Sequence, residues 1–281
     1  MMSDTRVMWY THKELDDPIA VIGFPSVGLV GSIVTSFLAR ELELPISAAL
    51  VSPDFPPYTL VQRAQPFPPI RIYAGPVPKP KRKKKAKTQT DENTAPEDSV
   101  NVVAEAPAEA KVTKKKRVKP RDIIIVTSEI SPKPEDTYDV AMTVFDTLKE
   151  MGATDFVCID GVPRMDPNAE VIGVASSKDA AKELEAAGLQ LMSEGLVRGV
   201  SGIVLYEGLY ENRNVMSIVS PANQQIPDPR AAASVLEILC KIVPNLSVDT
   251  LPLRKEAEEI DQRVKAQQQS QQNVESQNIY G

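Results

Sequence analysis

The uncharged stretch from Ile19 to Ala39 constrains the fold of this chain more than any other segment. Its first residues, Ile19–Ile22, are continuously apolar, which is typical of a strand buried on both faces of a sheet. Gly23–Gly28 then predicts a turn, and Leu29–Glu41 has the apolar spacing of a helix. The stretch is long enough to span a membrane, but its glycines, proline and hydroxyl side chains favour strand, turn and helix. We interpret it as the first half of a βαβ unit and expect no membrane association.

Apolar runs and helically spaced segments alternate along the rest of the chain. This alternation predicts an α/β fold, here a three-layer α/β/α sandwich with a mainly parallel or mixed sheet. Tyr58–Arg63 and Ile70–Tyr73 are expected to be paired strands around a proline-rich connection. Pro134 suits the first turn of a helix, and Gly199–Tyr210 is typical of a glycine-rich buried helix. Further strands are predicted at 6–10, 47–51, 122–127, 155–160, 171–175 and 215–219, and further helices at 178–187 and 229–242.

A basic insertion interrupts the predicted α/β domain, which we assign to residues 1–250. Residues 79–120 contain 13 of the 32 Lys and Arg but only 6 of the 38 Asp and Glu, in a chain whose formal net charge is −6. Few residues between 78 and 120 suit a core, so this segment is expected to be a disordered surface insertion. A solvated loop is the simplest interpretation. The basic run 79–119 leaves nucleic acid open as a partner, but no aromatic residue is interleaved for base stacking, so we do not expect one.

The C-terminal part is predicted to be a charged helix, 251–269, followed by a flexible glutamine-rich tail, 270–281. An apolar seam on the helix has spacings of 4, 3 and 4 residues; its members are Leu253, Ala257, Ile260 and Val264. Such a seam packs either on the helix's own domain or on a sister subunit, and its short length leaves both alternatives open.

The residue types that usually carry catalysis or metal binding are scarce. His12 is the single histidine, and Cys158 and Cys240 both lie in apolar runs, which predicts buried thiols in a reducing, cytoplasmic compartment. We therefore expect no metal site and no cofactor. The turn at Gly23–Gly31 has neither a phosphate-loop lysine nor the spacing of a dinucleotide fingerprint, and Phe24 stands where a nucleophile elbow needs glycine. An enzyme is not expected, although a small-molecule enzyme using this turn remains an alternative.

Four ordered motifs carry a resemblance to a known family. Gly23–Gly31 follows the first buried strand, and Ser52–Pro57 (SPDFPP) forms the next loop. Gly199–Gly202 (GVSG) opens a later helix, and Ile226–Ala232 (IPDPRAA) opens another. Together these motifs resemble those of the proteasome assembly chaperone 2 family, over nearly the whole chain except residues 78–120 and the glutamine-rich tail. The insertion departs from the compact pattern of the family.

The resemblance implies an α/β/α domain, a homo-oligomer, and binding to proteasome α subunits of the core particle. In archaeal homologues it also implies a C-terminal hydrophobic-tyrosine-X tail (HbYX motif). This chain ends in Ile279, Tyr280 and Gly281, which we identify as the expected partner-binding residues. We accordingly expect a proteasome assembly chaperone-like protein. The alternative is an ATP-independent proteasome activator that opens the gate of the core particle, and both functions would use the same tail.

Overall fold

A computed structural model describes residues 5–62, 64–78 and 121–279, with side chains as far as residue 266. The strands are β1 (Arg6–Trp9), β2 (Ile19–Gly23), β3 (Ile46–Val51), β4 (Leu60–Gln62), β5 (Gln65–Phe67), β6 (Ile70–Pro76), β7 (Asp122–Ser128), β8 (Asp155–Pro163), β9 (Ile172–Ala175), β10 (Gln190–Leu191) and β11 (Asn214–Ala222). The helices are α1 (Val30–Glu41), α2 (Thr137–Glu150), α3 (Lys178–Ala186), α4 (Gly199–Tyr210), α5 (Pro229–Ile242) and α6 (Leu251–Ile279).

Within the described ranges, nine of the strands form one mixed sheet in the order β1-β3-β6-β7-β2-β8-β11-β9-β10. Its centre is parallel, because β2 pairs in parallel with both β7 and β8, and β8 pairs in parallel with β11. The antiparallel pairs lie towards the edges, at β1–β3, β3–β6, β6–β7 and β9–β11. The carboxyl ends of the four parallel strands therefore meet at one edge of the sheet, where ligands bind in many α/β proteins.

Helices cover both faces of the sheet, so the predicted three-layer α/β/α sandwich is confirmed. One face packs against α1, α3, α5 and the start of α6, and Val21 of β2 points to this side. The other face packs against α2 and α4, and receives Ala20 and Ile22 from the same strand. Every residue of β2 is buried, as its continuous apolar sequence predicts for a central parallel strand.

The pairing predicted between Tyr58–Arg63 and Ile70–Tyr73 is wrong. β4 instead pairs with β5 in a separate two-stranded hairpin, and β6 lies in the main sheet between β3 and β7. Residues 70–75 of β6 are buried, so this strand needs a hydrogen-bonding partner on each side. A short hairpin with prolines cannot supply both partners. For this reason β6 pairs with β3 and β7 in the main sheet and not with β4.

Two helices also differ from expectation. α2 begins at Thr137 rather than near Pro134, because a turn closed by the Asp136 N–H to the carbonyl of Lys133 precedes it. α4 was expected to be buried, yet it buries one side and exposes Leu209 and Tyr210 on the other.

The stretch 19–39 forms β2, a tight turn and most of α1, as the strand-turn-helix interpretation predicts. Of the described residues, none belongs to a helix that is both long enough and apolar enough to cross a bilayer. The predicted basic insertion lies outside the described residues except for Pro78.

Candidate functional site

The glycine turn that follows β2 is closed by the protein's own backbone. A Cβ added at Gly161 would lie 1.9 Å from the carbonyl oxygen of Val27, and one at Gly23 would lie 2.2 Å from that of Gly31. The hydroxyl of Ser26 accepts a hydrogen bond of 2.9 Å from the backbone N–H of Gly161, which ties the turn to β8. These glycines let the turn, α1 and β8 approach closely, and the turn has no open phosphate cradle. The geometry therefore argues against a small-molecule site at Gly23–Gly31.

Gly28 joins this turn to the Pro-Asp-Pro segment before α5. Its φ of 64° lies in the left-handed region, and an added Cβ would lie 2.7 Å from the Cβ of Ala222 and 3.0 Å from that of Asp228. Its carbonyl oxygen accepts a hydrogen bond of 2.8 Å from the backbone N–H of Asp228. Two of the motifs that carried the family resemblance are therefore in direct contact.

Asp228 is a buried carboxylate that organises the start of α5. Its Oδ1 accepts the backbone N–H of Ala231 at 2.9 Å and so caps the helix. Its Oδ2 accepts the backbone N–H of Asn223 at 3.1 Å and the guanidinium of Arg164 at 3.2 Å. Pro229 follows at the first helical position, where its lack of an N–H costs nothing. The segment is thus held from three directions at the carboxyl end of the parallel strands.

The first part of α6 packs on its own domain, against α5. Leu253 and Ala257 of the predicted seam are 3% and 5% exposed. Two ion pairs flank this contact, Arg254 with Glu237 at 2.5 Å and Arg230 with Asp261 at 2.9 Å. The own-domain alternative therefore holds for this part of the seam, while Ile260 and Val264 remain half-buried.

The contact between α6 and the Pro-Asp-Pro segment is tight. A cleft of about 60 Å³ separates them, lined among others by Arg164, Asp228 and Asp261. This volume holds at most a few water molecules and no organic ligand. We therefore interpret the junction as a joint that fixes the direction of α6.

The helix continues to Ile279, ten residues beyond the boundary at 269 that composition predicted. Glutamine is a good helix former, so a glutamine-rich segment extends a helix whose first turns are already fixed by packing. Of the three expected docking residues, Ile279 is the last helical residue, and Tyr280 and Gly281 lie outside the described residues.

Sequence reasoning missed the ionic anchors of α6. Arg230 and Asp261 are far apart in sequence and lie in ordinary helical charge patterns, so no local signal marks them as a pair. Hydrogen bonding to Asp261 raises the pKa of Arg230. Arg164 was missed for the same reason, because its partner Asp228 lies on a distant segment.

The cysteines and Asp160 lie away from this joint. Cys158 is buried, and burial raises the pKa of its thiol, whereas Cys240 is only half-buried, contrary to the prediction of two buried thiols. Asp160 lies within β8. Its Oδ2 is enclosed without a hydrogen-bond partner among the described residues, and burial raises its pKa to about 6.

Comparison with known proteins places the fold and its motifs in a family. The family model described as PAC2 matches residues 20–268. An uncharacterised protein of Methanocaldococcus jannaschii is 24% identical over 252 residues, covering 90% of this chain and 86% of that protein. The crystal structure of Pyrococcus furiosus PbaA, an archaeal homolog of proteasome-assembly chaperone, has a TM-score of 0.72 and 25% identity, covering 97% of this chain and 95% of PbaA.

Pyrococcus furiosus PbaB, described as an archaeal proteasome activator, shares the fold with a TM-score of 0.69 and 22% identity. The likeness covers 95% of this chain and 100% of PbaB. The family match spans most of the chain and contains the glycine turn, the Pro-Asp-Pro joint and the first part of α6. The chain therefore belongs to the PAC2 family.

Proposed function

We propose that this protein is a cytoplasmic, non-enzymatic proteasome-binding protein of the assembly-chaperone type. Its docking residues are Ile279, Tyr280 and Gly281, and its partner is the ring of proteasome α subunits of the core particle. Family membership and the similarity to PbaA, an archaeal homolog of proteasome-assembly chaperone, support the class of partner. The single observation that carries the proposal is the anchoring of α6 by two ion pairs to α5. This helix leads to the three docking residues, and the ion pairs hold its first part on the domain.

The length of α6 beyond its anchors matters for this function. Among the side chains that the structure describes, Asp261 forms the last ion pair with α5, and the helix continues to Ile279. At a rise of about 1.5 Å per residue, the helix carries Ile279 roughly 27 Å along its axis from Asp261. A helix of this length directs the terminus, whereas a flexible coil would only tether it.

The terminal residues suit capture by a pocket. A terminal carboxylate binds well to a lysine and to backbone N–H groups, and Tyr280 adds a flat ring with one polar end. Burial of Ile279 contributes on the order of 1.5–3 kcal/mol if it is complete. One tail binds weakly because ordering it costs entropy, so several tails on one homo-oligomer would raise the overall affinity.

The exposed side of α4 is where we place the self-association surface. Tyr206, Leu209 and Tyr210 are 49%, 63% and 83% exposed, and exposed Tyr138 and Leu196 accompany them. Apart from Ser201 and Glu207, the α4 sequence is apolar or aromatic on every side, which is typical of a helix that is largely buried. A second copy of the chain would bury the side that the domain leaves open, which also fits the enrichment of tyrosine at interfaces.

The activator function is the alternative, supported by the fold shared with PbaB. One experiment separates the two functions: the immobilised chain is offered free α subunits and mature core particles, and hydrolysis of a fluorogenic peptide is followed. Binding restricted to free α subunits supports the chaperone function. Stimulated hydrolysis by mature particles supports the activator function. If neither partner is retained, the proposal of proteasome binding fails.

A further inference from the structure

A cavity of about 680 Å³ lies between α1, the β4–β5 hairpin and the face of the main sheet formed by β6 and β7. This size is typical of small-molecule pockets, which occupy roughly 300–1,000 Å³. The cavity lies on a different part of the sheet from the joint at Asp228, and its described lining contains no residue of the four family motifs. Its lining includes Arg71 and Thr127 on the sheet, Arg40 and Glu43 near the end of α1, and Phe67 on the hairpin.

Arg71 makes the inner wall unusual. Its side chain is fully buried, and one of its three nitrogens, Nη2, donates to the carboxylate of Glu129. Nε and Nη1 have no partner among the described residues, and neither has the hydroxyl of the neighbouring Thr127. A guanidinium has five N–H donors, and buried donors without acceptors are costly, so native structures almost always supply them with one. An acceptor from outside the chain would complete this site.

The remaining lining indicates the kind of molecule that would supply the acceptor. Of the charged residues described in the lining, Arg71 and Arg40 are cations and Glu43 is an acid, and Arg71 already pairs with Glu129. The unpartnered N–H groups of Arg71, rather than a surplus of positive charge, therefore favour an anionic acceptor. Arginine pairs best with planar oxygen anions such as carboxylates. Phe67 and Tyr73 provide flat apolar surface, and the ring of Tyr73 lies 6.0 Å from the Arg71 guanidinium. The cavity is much larger than a single water molecule, so an organic body fits beside the charged end.

We propose that this cavity binds an organic carboxylate, with the carboxylate on Arg71 and Thr127 and the apolar body against Phe67. The carboxylate belongs either to a free small acid or to the C-terminus of a peptide, since both present the same chemistry. The inference is independent of proteasome binding. It concerns a different face of the domain.

The test uses the full chain and isothermal titration calorimetry. Acetate, hexanoate, benzoate and phenylacetate are each compared with the matching neutral amide and with inorganic phosphate. The peptide Asn278-Ile279-Tyr280-Gly281 as free acid, against the same peptide as amide, distinguishes a chain terminus from a small acid. We expect saturable binding of at least one carboxylate. Its affinity should be at least about tenfold higher than that of the matching amide, because the amide forms only a neutral hydrogen bond acceptor for Arg71 in place of the charged carboxylate.

Variants locate the site. Thr127→Val keeps the shape of the side chain and removes the hydroxyl, Arg71→Lys keeps the charge and removes the planar fork, and Phe67→Ala removes apolar wall. Each is expected to weaken carboxylate binding several-fold or more. Val61→Ala changes an exposed residue of the same hairpin outside the lining and serves as the matched control with unchanged affinity.

Three results would overturn the proposal. The first is no saturable binding of any of the four carboxylates or of the free-acid peptide to the wild-type chain. The second is equal affinity for a carboxylate and its amide, or binding of phosphate alone. The third is carboxylate binding that Thr127→Val and Phe67→Ala both leave unchanged in chains that unfold cooperatively, since the site would then lie elsewhere.

Discussion

The backbone N–H of Asp228 donates a hydrogen bond of 2.8 Å to the carbonyl oxygen of Gly28. This bond joins the turn after the first central strand to the segment that starts α5, and Asp228 in turn caps α5. Since α5 carries both ion-pair partners of α6, the position of α6 depends on this contact. The two sequence motifs are therefore structural parts of one joint.

Gly28→Ala tests how closely the turn packs against Ala222 and Asp228 in this joint. The added Cβ would lie 2.7 Å from that of Ala222, at a φ of 64°. Overpacking and left-handed strain together are expected to lower the free energy of unfolding by about 2–4 kcal/mol. Gly199→Ala is the matched control, because its φ is 65° but no atom lies within 4 Å of the new Cβ. Gly199→Ala should lower the free energy of unfolding, measured by urea denaturation, by about 1 kcal/mol. An equal decrease for both variants would show that the contact with Ala222 is unimportant.

Leu253→Ala tests the anchoring of α6. The side chain is 3% exposed against α5, so its truncation should destabilise the docked helix by about 2–3 kcal/mol. Amide hydrogen exchange in 251–266 should become faster, while β2 and β7 keep their protection. Leu251→Ala, at a residue that is 58% exposed, should change exchange little. Identical exchange in the two variants would mean that α6 is not held through this seam.

Leu209→Glu tests the proposed self-association surface. A charge on the exposed side of α4 should weaken association without unfolding the domain, because the residue is 63% exposed in the single chain. Sedimentation velocity of the wild type should show an oligomer, and the variant should shift towards monomer. Val61→Glu, on the distant hairpin, should leave the distribution unchanged. An oligomer that tolerates Leu209→Glu would place the interface elsewhere.

Asp160→Asn tests the effect of the enclosed carboxylate on stability. Burial raises its pKa from 3.8 to about 6, so the folded state binds this proton more tightly than the unfolded state. The group therefore destabilises the fold above about pH 6, and the penalty disappears as the pH falls below 3.8. The variant should raise the free energy of unfolding by on the order of 2–3 kcal/mol at about pH 8 and change it little near pH 4.

Asp54→Asn, in an exposed loop, is the control for this pH series and should have an effect below about 0.5 kcal/mol at both pH values. Urea unfolding at the two pH values gives the comparison. A gain for Asp160→Asn that is the same at both would contradict the pKa assignment.

The central sheet was predictable from sequence because its strands are unambiguous. Residues 19–22 and 123–126 are apolar on both faces, and only a buried parallel strand suits such runs. The pairing of β6 was not predictable from sequence. Its partners β3 and β7 are determined by the packing of the whole sheet, whereas the turn signals near β6 indicate only the adjacent hairpin. Local turn signals indicate neighbours in sequence, whereas the sheet order is decided by long-range packing.

The joint was predictable as a set of motifs but not as a contact. Gly28 and Asp228 each carry a local signal, a glycine turn and a helix cap, yet nothing in either segment indicates that they meet. The ion pairs Arg230–Asp261 and Arg254–Glu237 give no sequence signal, because most charges on exposed helix faces have no fixed partner. The docking role of Ile279, Tyr280 and Gly281 stays a prediction from the sequence and the family.

The most direct test of the proposed function is the dissociation constant between the full chain and isolated proteasome core particles. Tyr280→Ala removes the aromatic ring, and a chain extended past Gly281 converts the carboxylate of Gly281 into a peptide bond. Each change should weaken binding by at least about tenfold. An equal extension placed before Met1 is the control and should leave the dissociation constant unchanged. If both C-terminal variants bind core particles as tightly as the wild type, the tail is not the docking element and the proposed mechanism is contradicted.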